Sequence, residues 1–438
     1  MDPAIHKTSD VFGIQRDIPK NYVTRSNVDD LFVESLTQDK HIVVYGSSKQ
    51  GKTSLRKYNL NPDEYITITC SNTTTLSQLQ ASILKEAGYT IEQSSTRTVN
   101  GESKINAKVS GGLNLGVARI GSAIATDMTD SEELQTLEVS LELDPSDTND
   151  IIRALREIEF GRLIVLEDFH YLQIDIQEAF SYALKAYHEN SNLTFIIVGV
   201  WLDENRLIQY NGDLTGRVLA VNADAWSDVQ LGEVIEKGEA MLNLKIADEA
   251  KSLLITGCFE SVYIVQDACF RICESAGIHQ TASDLKSVGA NIDVRSLVQE
   301  IVGEQSARYE AFLSAFSGGF QETRLEMYKW VLLPVLMAES IQLEQGISWS
   351  IIRRIVDENH PDSPINPGNL TQALAAVASL QVKTKISPII IDYDQTRRLL
   401  NVVDRGFLVW LDYQDRAEVR DSVSLPRDPK GIIPRRLA

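Results

Sequence analysis

Five runs of apolar residues in the first half of the chain predict the strands of one central sheet. The runs are rich in β-branched residues and show little alternation, which is typical of strands buried on both faces. Segments with apolar residues at helical spacing separate them. The strands are predicted at 41–45, 64–70, 163–166, 193–201 and 217–221, and the intervening helices at 75–87, 147–157 and 178–190. Strands that alternate with helices predict an α/β fold with a parallel sheet covered on both faces.

Residues 94–147 interrupt this alternation. They contain a glycine-rich stretch at 110–122, with alternating apolar residues on either side of Gly111 and Gly112. Period-two alternation across a Gly-Gly step predicts an inserted hairpin. We interpret the insertion as a loop folded against its own domain; a self-association or membrane-contacting element is the alternative.

The second half of the chain has a helical pattern that ends in strand-like residues. In the last domain, three predicted helices (322–340, 348–356 and 366–380) precede strand-like residues at 389–403 and 407–411. Helices followed by a hairpin indicate a winged-helix-like domain. The predicted domains are a core at 1–225 with the insertion 94–147, a helical lid at 226–280, a helical connector at 281–321, and the winged-helix-like domain with a basic tail at 322–438.

The composition is that of a globular protein with an excess of acid. At 438 residues the chain is long enough for two or three domains, and 43% of it is hydrophobic. The net charge is −19, but acidic and basic residues balance at 15 each from Glu322 onward. The acidity therefore belongs to the first part of the chain, which makes that part a poor general binder of polyanions.

Two further features bear on location and metal content. No apolar run is long enough to span a membrane and the first residues lack the pattern of a secretory signal, so we expect a cytoplasmic protein without membrane contact. Cys269 and Cys273 have no second cysteine or histidine pair at zinc spacing. We interpret them as small buried side chains rather than metal ligands.

The segment Gly-Ser-Ser-Lys-Gln-Gly-Lys-Thr-Ser follows the first predicted strand and matches a phosphate-binding P-loop. Such a loop surrounds phosphate groups with backbone N–H groups and the N-terminus of the next helix. Lys52 is the predicted cation for the β- and γ-phosphates, and the Thr53 hydroxyl is a predicted Mg²⁺ ligand. The predicted ATP-binding residues are Gly46, Ser47, Ser48, Lys49, Gln50, Gly51, Lys52, Thr53 and Ser54.

Two carboxylates, Glu167 and Asp168, end the third predicted strand. A parallel strand carries them to the carboxyl edge of the sheet, beside the predicted Mg²⁺ site. By position Glu167 faces the metal and Asp168 orients the attacking water, although the two chemical roles could be exchanged. The predicted cofactors are therefore ATP and Mg²⁺.

On residues 46–53 and 163–168, the chain resembles the P-loop ATPases of the AAA+ and STAND groups. The resemblance spans roughly residues 10–280 plus the C-terminal module, and the layout is most similar to initiator-type and signal-transducing members. AAA+ lids commonly carry a sensing arginine early in the last lid helix, where this chain has 260–263, Glu-Ser-Val-Tyr. This difference favours the STAND group. It leaves Arg271, deeper in the same helix, as an ion-pairing residue.

The resemblance also directs attention to residues around the predicted site. Arg217, before the fifth strand, could reach the γ-phosphate within the chain or across a subunit interface; a surface salt bridge is the alternative, and Arg206 is the second choice. Gly199 and Val200 supply no polar sensor at the end of the fourth strand. The weaker candidates there are Asp203, Glu204 and Asn205, and the candidates for covering the adenine are Tyr22 and Arg25, which could equally form a plain packing arm.

The leading hypothesis is a slowly hydrolysing ATP-dependent switch that controls assembly or a partner. The resemblance implies a bacterial signal-transducing ATPase that forms a homo-oligomer and acts with a separate effector protein in anti-phage defence. An initiator- or transposition-type ATPase that binds DNA through its winged helix is the alternative, and a nucleotide-binding scaffold is a third. The candidate third helix and the residues after it offer only Asn369, Gln372, Gln381, Lys383 and Lys385 for DNA, so protein contact is at least an equal interpretation. The tail at 426–437 is a predicted docking peptide.

Overall fold

The computed structural model describes residues 4–99, 102–110, 138–224, 226–320 and 323–434. Its first half is organised around a five-stranded sheet in the order β2-β6-β7-β1-β8, in which all neighbouring strands are parallel. The elements of this half are α1 (Thr8–Val11), α2 (Leu31–Leu36), β1 (His41–Tyr45), α3 (Lys52–Asn59), β2 (Tyr65–Thr69), α4 (Leu76–Ala87), β3 (Tyr89–Val99), β4 (Glu102–Ser110), β5 (Glu138–Leu143), α5 (Thr148–Glu157), β6 (Leu163–Glu167), α6 (Ile174–Asn190), β7 (Phe195–Val198), α7 (Arg206–Tyr210) and β8 (Val218–Asn222).

Burial explains why the sheet could be predicted. Every residue of β1 and of β7 is buried, so these central strands appear in the sequence as uninterrupted apolar runs. A capping box at Thr75 and Gln78 starts α4, and the Asp147 side chain caps α5. The predicted α/β class with a parallel sheet is confirmed.

The insertion contains a second, antiparallel sheet in the order β3-β4-β5. The alternating residues predicted as the first arm of a hairpin, 105–109, lie in β4 and pair with both β3 and β5. Gly111 and Gly112, at which the hairpin was predicted to turn, lie outside the described residues. The structure therefore shows a three-stranded sheet in this region and does not test the predicted turn.

A helical lid and connector follow the sheet. Among these elements β9 and β10 pair in parallel, and the Ser261 side chain caps α10. The elements are α8 (Asp228–Leu242), β9 (Leu244–Ile246), α9 (Asp248–Gly257), α10 (Val262–Ser275), β10 (Lys286–Val288), α11 (Val294–Gly303) and α12 (Ser306–Gly318).

In the C-terminal domain, five helices and a short strand precede a β-hairpin, where the sequence predicted three helices. The hairpin strands β12 and β13 are antiparallel, and β11 adds a short third strand. The elements are α13 (Met327–Met337), α14 (Ser340–Glu344), β11 (Ile347–Ser348), α15 (Trp349–Asn359), α16 (Pro367–Ala375), α17 (Val377–Lys383), β12 (Ile391–Asp394), β13 (Leu399–Val402), α18 (Arg405–Asp412) and α19 (Arg416–Ser422).

One predicted element of this domain is wrong. Residues 407–411 were expected to be strand-like but form most of α18. The Asp404 side chain accepts a hydrogen bond from Phe407 N and caps the helix. Every residue from Gly406 to Leu411 is buried, so the helix shows no polar face and its sequence resembles a buried strand.

The lid, the connector and the C-terminal domain share one hydrophobic core from Trp226 to Ile433, and Val11, Phe12 and Val23 of the N-terminal segment belong to the same core. We call the lid, the connector and the C-terminal domain together the C-terminal body. The two faces of the parallel sheet have separate cores of their own. In the part of the chain that the structure describes, no helix combines the length and the apolarity that crossing a membrane would need.

Two glycines of α8 provide a test of how the N-terminal segment packs on the lid. A Cβ at Gly238 would lie 2.1 Å from Phe12 Cζ, whereas a Cβ at Gly232 would meet only Ile255 Cδ1, at 3.9 Å. We expect Gly238→Ala to destabilise the protein by about 1–3 kcal/mol through overpacking. Gly232→Ala should stabilise it by about 0.5–1 kcal/mol, because alanine favours the helix.

Thermal unfolding midpoints of the two variants and the wild type measure this difference. Equal midpoints for both variants would show that Phe12 does not pack against α8 as described.

Candidate active site

The predicted P-loop connects the end of β1 to the start of α3 in a conformation that requires glycine. Gly46 has a φ of 138° and Gly51 a φ of 85°, values that side chains with a Cβ rarely adopt. A Cβ at Gly46 would also lie 3.0 Å from Asp224 Oδ1. The loop therefore approaches the end of β8 closely. The N-terminus of α3 lies beyond the carboxyl end of β1.

Lys52 is held at this loop by main-chain oxygens. Its Nζ donates to Gly46 O at 2.9 Å and to Ser47 O, and the side chain is 9% exposed. Burial lowers the Lys52 pKa to about 8, although the nearby Asp224, Asp168 and Glu167 act in the opposite direction. A buried ammonium whose acceptors are only carbonyl oxygens is well suited to an anionic ligand.

The acid pair ends β6 beside this lysine. Glu167 forms an ion pair with Arg56 of α3, with Nη2 and Oε1 2.9 Å apart. Asp168 has a φ of 58°, and its pKa is raised by burial and by Glu167 while Lys52 lowers it. The two predicted acids are thus together, but they have different partners: Glu167 has a cation of its own, whereas Asp168 faces the same space as Lys52.

A cavity of about 820 Å³ brings the predicted residues together. This volume lies within the usual range for sites that take small molecules and cofactors. The sheet side contributes Glu167 and Asp168, the lid contributes Tyr263 and Gln266, and the C-terminal domain contributes Pro388. The P-loop residues that line the cavity are Ser48, Lys49, Gln50, Gly51, Lys52, Thr53 and Ser54.

Tyr22 and Arg25 of the N-terminal segment also line the cavity. Tyr22 stacks on Tyr58 with ring centroids 4.3 Å apart, and its hydroxyl donates to Asp29. Arg25 is 1% exposed and lies over the Trp226 ring at 4.0 Å. Both residues are therefore at the cavity wall, and both also pack the segment against its neighbours.

The structure does not bring Arg217 to this cavity. Arg217 pairs with Glu189 at 2.7 Å, and its carbonyl accepts a hydrogen bond from His41 N at the start of β1. It thus lies at the amino edge of the sheet, whereas the P-loop follows the carboxyl end of β1. A role for Arg217 across a subunit interface stays a prediction.

The other weaker candidates also lie away from the cavity wall. Arg206 pairs with Asp392 of the C-terminal domain at 2.7 Å. Asp203 accepts hydrogen bonds from Asn205 N and from the Gln209 side chain. In the lid, Arg271 forms the predicted ion pairs, with Asp267 at 3.1 Å and with Glu304 at 2.7 Å.

Several residues that hold the loop were not predicted. Asp224, after β8, accepts hydrogen bonds from Ser47 N at 2.7 Å and from Ser47 Oγ at 2.6 Å. Ser48 N donates to Val403 O in the C-terminal domain at 3.1 Å. The position of Asp224 at a strand end could have suggested it, whereas no sequence signal marks a main-chain oxygen 355 residues away such as that of Val403.

The lid holds the loop from the other side. The Gln50 side chain donates to Glu260 O at 3.0 Å, and Trp226 Nε1 donates to Gln50 O at 3.3 Å. Arg405 of the C-terminal domain pairs with Glu344 at 3.0 Å and with Glu260 at 3.3 Å, and lies 4.0 Å from Asp224. The P-loop is therefore enclosed by the C-terminal body.

The four cysteines, which are potential metal ligands, are all free and buried. Cys269 and Cys273 are both buried in α10, as the sequence indicated, and burial raises the Cys273 pKa to about 12. Within the described ranges, no group of three or more histidine, cysteine or acidic side chains could hold a metal ion.

Comparisons with known proteins address the fold. No protein-family model matches the chain, and no curated protein matches its sequence. The Walker-type ATPase PABY2304 of Pyrococcus abyssi is similar in structure, with a TM-score of 0.51 and 14% identity over 92% of this chain and 99% of that one. The ORC2 protein of Aeropyrum pernix gives a TM-score of 0.47 at 13% identity, over 94% and 96% of the two chains.

At these identities the likeness concerns the fold alone, and the first comparison carries it. In this chain, the P-loop between β1 and α3 and the acid pair at the end of β6 both lie at the carboxyl edge of the parallel sheet, where ligands bind in open α/β sheets. The chain has the fold of a Walker-type ATPase.

Proposed function

We propose that this protein binds ATP with Mg²⁺ in the cavity and uses the bound nucleotide to set the position of its C-terminal body. Lys52 and the P-loop N–H groups would hold the phosphates, and Thr53 with Glu167 or Asp168 would hold Mg²⁺. Bound Mg²⁺ supplies neutralisation of phosphate charge. The fit is supported by the cavity volume, the close approach at Gly46 and the buried ammonium of Lys52.

The hydrogen bond from Ser48 N to Val403 O is the observation that carries the proposal. A P-loop N–H is a donor for phosphate oxygen, and here a carbonyl oxygen of the C-terminal domain accepts it. The Ser48 N–H group cannot form a full hydrogen bond to a phosphate oxygen and to Val403 O at the same time. Phosphate binding and this docked position of the C-terminal domain therefore compete, which couples nucleotide occupancy to domain position.

Away from the P-loop, the C-terminal domain and the sheet domain meet at a further contact, which we call the seam. One small apolar cluster joins them, made of Val200, Ala378, Ile389 and Val403. Arg206 and Asp392 add a nearly buried ion pair, and the Tyr171 hydroxyl bonds Ser387. The C-terminal body has a much larger core, which it shares with Val11, Phe12 and Val23 of the N-terminal segment, so we expect that segment to move with the body when the body leaves the seam.

Several features support slow rather than fast hydrolysis. Gly199 and Val200 place no polar side chain at the end of β7, and Glu167 is already paired with Arg56. Arg271 is engaged by Asp267 and Glu304. A slowly reversing switch, rather than a motor, is consistent with these ion pairs.

The biological setting of the proposal rests on the resemblance to signal-transducing ATPases. A C-terminal body that leaves the seam would expose a surface for a second copy of the chain or for a separate effector protein. Cytoplasmic anti-phage defence is the setting that this resemblance implies.

DNA binding is the second candidate function, and a groove on the C-terminal domain favours it. Asn369, Gln372, Trp349 and Arg398 line this groove, and Arg398 lies over the Trp349 ring at 4.4 Å. The structure removes Gln381 from the predicted DNA contacts, because this side chain is fully buried and bonds Ile391 O. Two amides and an arginine remain beside the N-terminus of α16.

The first prediction concerns the phosphate site. We expect Lys52→Ala to weaken ATP binding by about 10–100-fold, because a buried charged donor is lost. Lys57→Ala, in the same helix but with its Nζ on Arg16 O, should bind as the wild type does. Calorimetric titration with ATP and Mg²⁺ measures both, and equal affinities would refute the nucleotide site.

The second prediction concerns the seam. Arg206→Ala leaves Asp392 without its cation in a nearly buried position, which disfavours the docked state. We expect ATP affinity to rise by about tenfold and amide exchange of the P-loop to accelerate.

Arg324→Ala is the matched control, because its partner Asp362 lies in the same domain and Arg324 is 83% exposed. Unchanged ATP affinity in Arg206→Ala would argue against competition between nucleotide and C-terminal domain.

The third prediction separates the two candidate functions. If the groove binds DNA, affinity for a short duplex should fall steeply with salt and weaken in Arg398→Ala but not in Arg324→Ala. Fluorescence anisotropy measures this, and absence of binding at low salt removes the second candidate.

A further inference from the structure

His170 lies in the short turn after β6 and lines the cavity beside Asp168. Its side chain is buried, and its Nδ1 accepts a hydrogen bond from Val200 N at 3.3 Å. A backbone N–H can only donate, so Nδ1 must carry the lone pair and the proton resides on Nε2. His170 is therefore a neutral imidazole that offers an N–H donor.

That donor has no acceptor among the residues described. Nε2 is buried and makes no hydrogen bond. Buried donors without partners are rare in folded proteins because they cost free energy, and each one requires a reason. Of the other side chains with such an atom, only Arg25 also lines the cavity, and Arg25 donates elsewhere to Ala223 O.

The charges around His170 indicate which kind of ligand would accept the hydrogen bond from Nε2. The charged side chains that act on the ring are the cations Lys52 and Arg206. Lys52 and Asp168 identify this as the phosphate and metal end of the cavity, since the N-terminal segment with Tyr22 forms another part of its wall. An anionic oxygen would match both the free donor and the nearby Lys52 ammonium, whereas the charge of Arg206 is already paired with Asp392.

The main chain after β7 holds the His170 ring in position. Gly199 and Val200 carry no polar side chain there, yet the Val200 N–H holds and orients the His170 ring. The main chain just after β7 thus supports a donor that belongs to the turn after β6. A polar group is present where these two strand ends meet, although the sequence of β7 does not contain it.

We propose that His170 donates a hydrogen bond from Nε2 to the terminal phosphate of bound ATP and so lets the protein distinguish ATP from ADP. This inference rests on the proposed function, because it requires a nucleotide in the cavity. It assigns to His170 the discrimination that Lys52 alone does not provide, since a lysine at this position serves the β-phosphate as well.

Direct binding of two nucleotides tests this assignment. The probes are the non-hydrolysable β,γ-imido analogue of ATP and ADP, each with Mg²⁺, measured by calorimetry on the full chain. We expect the wild type to prefer the triphosphate, and His170→Leu to lose about tenfold or more in triphosphate affinity with ADP affinity unchanged. His170→Gln keeps a donor and an acceptor and should recover most of the preference.

A structural role for His170 would give a different result. Misfolding of the cavity would weaken both nucleotides in parallel, and such a parallel loss in His170→Leu and His170→Gln would overturn the assignment. An unchanged ratio of affinities would overturn it as well. His279→Leu, which removes an exposed histidine that pairs with Glu274 and does not line the cavity, should leave the ratio at the wild-type value.

The outcomes also separate this inference from the proposed function. If the wild type binds neither nucleotide, the proposed function itself fails. If the wild type binds both and Lys52→Ala does not, while the His170 variants keep the wild-type ratio, the site holds and only the assignment of His170 is refuted.

Discussion

The hydrogen-bonding demand of the P-loop backbone is the constraint on which this structure depends. A loop that turns tightly after a buried strand leaves its N–H groups without secondary-structure partners, and those groups need acceptors. Here Asp224 accepts from Ser47 and the Val403 carbonyl accepts from Ser48. These two N–H groups of the predicted P-loop are thereby satisfied by protein oxygens. Under the proposed function, the position of the domain that supplies one of these oxygens would depend on whether a nucleotide fills the loop.

The ends of the parallel strands determine where the acidic residues of the site lie. β6 delivers Glu167 to Arg56 and Asp168 toward Lys52, while the chain after β8 delivers Asp224 to the loop. Parallel strands necessarily place their carboxyl ends at one edge, so acids from distant parts of the sequence meet there. Their individual partners, rather than their order in the chain, determine what each acid can do.

The sequence predicted the parts of this molecule whose signals are local. Buried parallel strands are continuous apolar runs, and the P-loop motif is contiguous, so the sheet, the loop and the acid pair were all expected. The helix α18 was predicted as a strand because burial on all sides removes the polar face that marks a helix in the sequence. Asp224 had only the weak signal of its position at a strand end. Val403 and His170 act through tertiary contacts, and a single sequence contains no record of those contacts.

The continuous core of the C-terminal body has a mechanical consequence. Tyr263 and Gln266 of α10 border the cavity, yet their helix belongs to the same packed interior as α13 and α18. Packed interiors transmit displacement because they compress little. If α10 shifts slightly, the C-terminal body would therefore rotate as one rigid unit. The residues of the body that lie farthest from the cavity would then move the most. The site would thus produce motion at a distance without any rearrangement along the way.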